Sequence, residues 1–564
     1  MKVVIVGGVA GGATAAARLR RLNEDAEITV FEKSGFVSYA NCGLPYYIGD
    51  VITDEKALTV QTPESLFARF KINVKVKHEV TDIDPLKKTV TVRNLSTKEE
   101  WEEPYDKLIL SPGAKPVKLD FDGIESKKIF TLRTVEDTIR IHDNVAQNYI
   151  KSAVIVGGGY IGIEVAENLK ERGLDVTVVQ KPEQLMNTID YDMACFVHSK
   201  LRAEGIKIRL NSNVTGFREE KDKIVTLLEG GLELTSDMVL LAIGVAPENA
   251  LAKKAGLELG VKGCIVVNDK METSVADIYA VGDAVEVKHF VTGEKASIAL
   301  AGPANKQGRI AADNICGLDS HYQGSLGTSV IKIFDMTVAG TGLTQKAAIA
   351  LNIDCESIIL FPSSHADYYP GAKTMIMKVT FEKKTLKLLG AQIIGSEGAD
   401  KRLDVLSAAI NSGMRADKLK DLDLAYAPPF SSAKDPVNMA GFIIENIDAG
   451  LLKQYQWYDD EKLKRDGSVT LLDIRTEEEY RRGSIEGYKN IPLDELRDRL
   501  NEIEKGKPVY VLCQSGLRGY VACRILEQNG YDCHNLSGGY MFYSGVKRER
   551  RLCESTHPCG MEKR

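Results

Sequence analysis

The chain has 564 residues, 44% hydrophobic and 27% charged, with a formal net charge of −6. That length implies about three or four domains. The mild acidity leaves no footprint for nucleic acid, and no run of ~18 apolar residues suits a membrane span.

The apolar start, Val3 to Val6, runs directly into a glycine turn with no cleavage site, so a signal peptide is not expected. The first elements read as strand (Val3–Val6), turn (Gly7-Gly8-Val9-Ala10-Gly11-Gly12), helix (Ala13–Leu22) and strand (Ile28–Phe31, ending at Glu32). The pattern returns at Ala153–Val156, then Gly157-Gly158-Gly159-Tyr160-Ile161-Gly162, a helix through Leu169, and Val176–Val179. Two such units in one chain are an internal duplication. Strand-turn segments end at Gly113 and Gly244, and a further glycine element is Ile278-Tyr279-Ala280-Val281-Gly282-Asp283. Alternating runs at Val330–Phe334 and Met375–Phe381 predict an antiparallel sheet, with helices near 402–413. After a linker at 452–458, Val469–Ile474 and Val509–Leu512 read as parallel strands of a small α/β unit. The end, with its basic run Lys547-Arg548-Glu549-Arg550-Arg551, reads as a frayed, solvated tail. The fold class is therefore α/β, with two Rossmann-like domains, an α+β domain and a small C-terminal α/β domain.

Ten cysteines are scattered without a CxxC pair. This argues against a disulfide framework or a zinc ribbon and fits a reducing cytoplasm; no metal site is expected. Cys523, Cys533, Cys553 and Cys559 carry no motif.

Glycine turns let the backbone approach a pyrophosphate, and the helix that follows offers N–H donors and the positive end of its dipole. In the first unit Gly7, Gly11 and Gly12 remain although Val9 replaces the middle glycine, and Glu32 stands where a carboxylate holds a ribose hydroxyl. The second unit keeps Gly157, Gly159 and Gly162, but its strand ends at Gln180, followed by Lys181. A neutral residue there leaves NADH and NADPH both open.

Two dinucleotide units closed by the element at Asp283 resemble the flavoprotein disulfide reductases over roughly residues 1–450. The resemblance implies FAD on the first unit, with Gly113 and Asp283 also touching it, and NAD(P)H on the second. Most members carry two cysteines five residues apart. Here the loop is Ser38-Tyr39-Ala40-Asn41-Cys42-Gly43-Leu44-Pro45-Tyr46-Tyr47, so Cys42 stands alone. A lone thiol cannot close an internal disulfide and must work through a mixed disulfide, a persulfide or a sulfenic acid. The loop is similar to that of coenzyme A-disulfide reductases and their persulfide-reductase relatives. The related peroxidases and oxidases place a histidine in the first glycine turn; here Ala10 stands there, which disfavours an NADH oxidase or peroxidase.

The same resemblance implies substrate contacts at Thr14, Arg18, Arg21, Ser38, Asn41 and Lys71, with Lys306 a weaker candidate and Lys434 a further one. Thr14, Arg18 and Arg21 share one helix face, and cations suit the phosphates of coenzyme A. It also implies a homodimer with shared active sites, in which Tyr368 (or its rival Tyr369) and Tyr426 of one subunit face the thiol of the other.

The last unit, with Leu472-Asp473-Ile474-Arg475, Asn490-Ile491-Pro492 and the loop Cys513-Gln514-Ser515-Gly516-Leu517-Arg518-Gly519, resembles the rhodanese family; Ser484 departs from its frequent histidine. Backbone N–H groups curling round Cys513 are expected to lower its pKa and hold a persulfide, with Arg518 assisting. Four residues between Cys513 and Arg518 favour sulfur over phosphate.

The expected domains are 1–112 with 240–322 (FAD), 113–239 (NAD(P)H), 325–451 (dimerisation), 459–548 (rhodanese) and a tail, 549–564. The expected activity is NAD(P)H-dependent reduction of coenzyme A persulfide, polysulfide or coenzyme A disulfide. Coenzyme A serves as substrate or bound mediator, and the rhodanese unit handles sulfane sulfur. A sulfur-delivery or redox-sensing protein without turnover is the reading of another class.

Overall fold

A computed structural model of the chain describes residues 1–117 and 119–554, with side chains through Leu552. Cys559 and the side chain of Cys553 lie outside the described residues. The chain divides into two compact units, Met1–Leu185 with Gly205–Gly327, and Met186–Glu204 with Thr328–Arg564.

In the first unit the duplication is structural as well as sequential. One parallel sheet has the order Ile278–Ala280, Lys107–Leu110, Lys2–Val6, Glu27–Glu32, Asn73–Val76. The other has the order Ile129–Thr131, Met238–Leu241, Ser152–Val156, Asp175–Val179, Lys207–Arg209. In each, the strand that feeds the glycine turn is central, so both faces are covered and the strand is continuously apolar: Val3, Val4 and Ile5 are fully buried. In each, a three-stranded antiparallel meander, at 78–104 and at 214–236, interrupts the chain just before the strand Lys107–Leu110 or Met238–Leu241 that pairs beside the strand feeding the turn. The fifth strand of the first sheet arrives from Ile278–Ala280, so that domain is assembled from two stretches of chain.

The helix after the first turn starts at Ala10 rather than Ala13. Gly11 and Gly12 lie in its first turn, where they are disfavoured by propensity. Close packing requires them: a Cβ on Gly12 would overlap the Gly7 carbonyl oxygen.

The second unit holds an antiparallel sheet, Ser329–Ile333, Met336–Gly342, Leu388–Gly395, Ile376–Glu382, Cys355–Leu360, with the helices Ala399–Asn411 and Pro436–Asp448. It also holds a parallel sheet, Gln454–Tyr455, Cys533–Leu536, Val509–Leu512, Thr470–Asp473, Lys489–Asn490.

The segment between its two sheets is built into the fold, and one expectation about its end is corrected. The linker segment is ordered: Gln454–Tyr455 pairs as an edge strand, and Trp457 is buried with its indole N–H donating to Asp192 at 3.3 Å. Asp192 and Asp190 in turn flank the fully buried Lys378 ammonium at 2.8 and 3.1 Å. The tail is not frayed at 549, since a helix runs from Gly539 to Glu554. Glu549 is buried against Arg202 and His198, and Lys547 and Arg550 pair with Glu461. A run that looks solvated by composition thus has one face packed. Among the described residues no helix is long and apolar enough to cross a membrane.

Candidate active site

A cavity of about 790 Å³ opens at the end of the first sheet, lined among others by Gly7, Val9, Glu32, Asn41, Gly113 and Asp283. Gly7 has φ +93°, and a Cβ there would overlap the Ser111 carbonyl. Glu32 accepts the Gly8 N–H at 2.8 Å through one oxygen and the Ser34 N–H at 2.8 Å through the other. Gly113 (φ +73°) abuts Arg133, whose guanidinium donates to the Pro112 carbonyl at 3.3 Å. Burial raises the pKa of Asp283. Bare glycine backbone and a strand-end carboxylate on one cavity's wall suit a dinucleotide.

In the second glycine turn a Cβ on Gly162 would overlap the Gly157 carbonyl oxygen, repeating the Gly12–Gly7 relation. Gly159 differs, because a Cβ there would meet nothing within 4 Å. Packing does not demand that glycine; a group approaching the open backbone would. Gln180 accepts the Gly158 N–H at 2.9 Å and donates to the Gln184 carbonyl at 3.1 Å.

Cys42 lies in the short 3₁₀ turn Asn41–Gly43 and is exposed. Enough protein surrounds the reachable sulfur that desolvation is the largest influence on it and pushes its pKa up, with the Glu164 and Asp283 carboxylates adding to the effect. Glu164 is itself raised to about 7, by burial first. It accepts a long hydrogen bond from the Tyr46 hydroxyl at 3.4 Å, and burial raises that hydroxyl to about 12. Neither Glu164 nor Tyr46 was legible as a site residue from motif spacing alone.

The implied substrate residues of the first unit are placed on the packed helices Ala10–Leu22 and Ala301–Ile315, on the Cys42 loop and, for Lys71, at the C-terminal cap of helix Pro63–Phe70. Thr14 donates to Asn305 at 2.7 Å, and Arg18 is paired with Asp313 at 2.6 Å, so its charge is already engaged. Arg21, Asn41, Lys71 and Lys306 are exposed. Ser38 (φ +48°) and Lys71 (φ +49°) are both left-handed. The buried Arg20, missed in the sequence, donates to the carbonyls of Phe70 (2.7 Å) and Lys71 (3.1 Å) and so anchors the backbone at Lys71.

In the second unit the Tyr368 and Tyr426 hydroxyls hydrogen-bond each other although both rings are exposed. Tyr369 instead packs edge-on against His365, 5.6 Å between centroids. The two tyrosine loops are tied by Arg402, also missed in the sequence. This buried guanidinium donates to the Ser364 carbonyl (3.0 Å), Ser431 (3.1 Å) and Asp435 (3.1 Å). Lys434 stays exposed beside it.

Cys513 ends the strand Val509–Leu512 and is buried. Its sulfur accepts the Gly516 N–H at 3.0 Å, and Gly516 takes φ +105° to aim that donor. The N–H groups of Gly519, Gly516 and Ser515 lower the thiol pKa as expected, but burial outweighs them and the net shift is upward. The expectation of a lowered pKa is therefore corrected: so little water reaches the thiol that desolvation decides the direction. Arg518 does not project freely over the sulfur, since Glu479 clamps it with two hydrogen bonds of 2.8 and 2.7 Å. Cys523 and Cys533 are buried in the same domain with their sulfurs 2.7 Å apart.

Two nucleotide-type turns, a reachable thiol on the loop beside one of them, and a second thiol in a donor-lined loop define a nucleotide-linked thiol oxidoreductase joined to a sulfur-handling unit. The chain belongs to the pyridine nucleotide-disulphide oxidoreductase family, whose model matches residues 1–308. The dimerisation domain of that family matches 328–436, and a rhodanese-like domain matches 457–544. The chain is 40% identical over 442 residues to the coenzyme A disulfide reductase of Staphylococcus haemolyticus, covering 78% of this chain and 98% of that protein. It is similar throughout to the crystal structure of reduced Bacillus anthracis CoADR-RHD: 48% identity, TM-score 0.95, covering 97% of this chain and 98% of the other. A NAD-dependent persulfide reductase from A. fulgidus aligns with TM-score 0.90 and 36% identity, covering 96% of this chain and 100% of the other.

Proposed function

We propose that this chain reduces sulfur–sulfur bonds of coenzyme A persulfide, polysulfide or coenzyme A disulfide at the expense of NAD(P)H, with Cys42 as the redox thiol. The observation that carries this reading is the placement of Cys42: alone, reachable, and adjacent to Asn41 on the wall of a dinucleotide cavity. The cavity and its bare glycines suit FAD, held by Gly7, Gly11, Gly12, Glu32, Gly113 and Asp283. Gly157, Gly159, Gly162 and Gln180 suit NADH or NADPH. When bound, FAD supplies sulfur with the electron pair that NAD(P)H delivers as hydride.

The chain's own residues handle the sulfur. Cys42 thiolate attacks the outer sulfur of R–S–SH, forming Cys42–S–SH and releasing R–S⁻. Two electrons then cleave that S–S bond, returning Cys42 thiolate and HS⁻. Thr14, Arg18, Arg21, Ser38, Asn41, Lys71 and Lys306 position the coenzyme A nucleotide, with Lys434 contributing from the dimerisation domain. In a homodimer, Tyr368 and Tyr426 of one subunit face Cys42 of the other, and their coupled hydroxyls supply a proton to the leaving thiolate. Cys513 carries sulfane sulfur, and the fusion keeps that sulfur at high local concentration. The methyl of Ala10 on the cavity wall supports sulfur over peroxide chemistry.

The test is NADH and NADPH oxidation with coenzyme A disulfide, coenzyme A persulfide, polysulfide and oxygen, in the parent chain, Cys42→Ser and Cys513→Ser. The reading requires Cys42→Ser to lose turnover on every sulfur substrate. Turnover surviving in that variant ends it.

A further inference from the structure

The Cys513 loop turns N–H groups toward its sulfur, and donors from outside the loop hold its carbonyls. The Tyr540 N–H donates to the Cys513 carbonyl at 2.7 Å, and the Met541 N–H donates to the Gln514 carbonyl at 3.0 Å. In a trans peptide the N–H points opposite to the carbonyl, so a Gln514 carbonyl drawn outward turns the Ser515 N–H inward. Gly516 is held differently. Its N–H meets the Cys513 sulfur at 3.0 Å while its own carbonyl is engaged elsewhere, and the residue takes φ +105° to do both. That carbonyl accepts from the Tyr520 N–H at 3.0 Å, at the start of the helix Leu517–Gln528, and from the side-chain amide of Asn535, also at 3.0 Å.

Asn535 stands on a rigid support. It lies on the interior strand Cys533–Leu536, paired with Val511 on one side and Gln454 on the other, and it is buried. Its Nδ2 serves Gly516, but its Oδ1 has no hydrogen-bond partner among the described residues. That oxygen presses on Gly519, where a Cβ would stand 2.0 Å from it. The reverse orientation of the amide would set Oδ1 against the Gly516 carbonyl oxygen, two acceptors face to face. A buried amide with an unmet oxygen costs stability, and a leucine of similar shape would avoid that cost. The exchange would not orphan the Gly516 carbonyl, because the Tyr520 N–H remains on it. Stability does not account for this amide; the conformation of Gly516 does.

We propose that Asn535 is a positioning residue for sulfur transfer at Cys513: by holding the Gly516 carbonyl it fixes the positive-φ backbone that aims the Gly516 N–H at the sulfur. This rests on the reading of Cys513 as a sulfane-sulfur carrier and adds the side chain that shapes its loop. The N–H and carbonyl of one residue are related through its φ and ψ, so a pinned carbonyl keeps the N–H in place. A glycine released from that hold has wide conformational freedom. An N–H that swings away leaves the thiolate with one donor fewer in a site that little water reaches. Gly519 shares the arrangement: its N–H also bears on the thiol, and it packs against the same Asn535 side chain.

The experiment uses the full chain and follows two quantities together. One is the thermal midpoint. The other is the pH midpoint for iodoacetamide alkylation of Cys513, read by mass spectrometry with Cys42 of the same chain as internal reference. Asn535→Leu is expected to raise the Cys513 midpoint by about one pH unit, a loss of about tenfold in thiolate below it. Cys42 should stay where it was, and the thermal midpoint should not fall. Arg518, the charge that bears on this thiol, is intact in each variant. Asn535→Asp keeps the shape but loses the donor and turns a carboxylate oxygen toward the Gly516 carbonyl; it should raise the Cys513 midpoint further, at lower stability. Loading of Cys513 from inorganic tetrasulfide, in which the thiolate takes the terminal sulfur and trisulfide leaves with the electron pair, should slow by about tenfold in both variants. A Cys513 midpoint left in place by Asn535→Leu overturns the proposal. So does an Asn535→Leu chain that melts lower, since Asn535 would then serve the fold. Failure of the carrier reading shows elsewhere: the unsubstituted chain would take no sulfur from tetrasulfide, while the alkylation midpoint would still move in Asn535→Leu.

Discussion

Glu32 and Gln180 make the same hydrogen bond in the two halves of the duplication: each accepts the N–H of the second glycine of its turn, at 2.8 and 2.9 Å. Both side chains are buried. The structural task is therefore met equally by a carboxylate and an amide, and the charge is free to report on the ligand. A carboxylate at a strand end binds a ribose hydroxyl and repels a 2′-phosphate. Gln180→Glu keeps the bond to Gly158 and is expected to move the ratio of kcat/KM for NADH over NADPH upward by about tenfold. Steady-state kinetics with both nucleotides check this; an unmoved ratio means position 180 does not face the ribose.

Glu164 and Cys42 are coupled through charge. With its pKa at about 7, Glu164 is mostly protonated on the acid side and gains its charge as pH rises through neutrality. That new negative charge disfavours the Cys42 thiolate and raises the thiol pKa. Glu164→Gln removes it, so the thiolate should form at lower pH. Iodoacetamide alkylation of Cys42 followed from pH 6 to 10, on the order of the thiol range, should show its midpoint moved down. A midpoint moved up or left in place contradicts the coupling.

Arg402 holds together the loops that carry Tyr368 and Tyr426. Replacing it by Met leaves Asp435 buried without its partner, which costs about 3–5 kcal/mol. Lower thermal stability is expected, together with loss of turnover exceeding that of Tyr368→Phe alone. Arg402→Lys, which keeps the charge but not the planar fork, is expected to recover stability more than turnover, because one ammonium cannot reach all three acceptors in the same geometry.

The helices Ala10–Leu22 and Ala301–Ile315 touch through glycine. A Cβ on Gly308 would overlap the Gly11 carbonyl oxygen. Gly308→Ala must push the helices apart, at about 1–3 kcal/mol, and displaces the turn that faces the cavity. Flavin absorbance per purified chain should fall, with unfolding at lower temperature. Full yellow occupancy in this variant would show that the turn tolerates the shift.

The periodic features were open to reading along the chain. Both glycine turns, their strands, Cys42 and the Cys513 loop follow from local rules, because backbone conformation and side-chain alternation over ten residues decide them. What local rules miss are the neutralising partners. Arg18 and Arg518 read as available cations until Asp313, 295 residues away, and Glu479, 39 residues away, are found against them.

The sequence by itself determined the duplicated α/β plan, the lone thiol and the attached sulfur loop. Only the tertiary structure decided which charges remain free, that burial outweighs the backbone donors at Cys513, and that the basic C-terminal stretch packs as a helix. Motifs are set by neighbours in the chain, whereas the energy of a charge depends on everything that has displaced water around it.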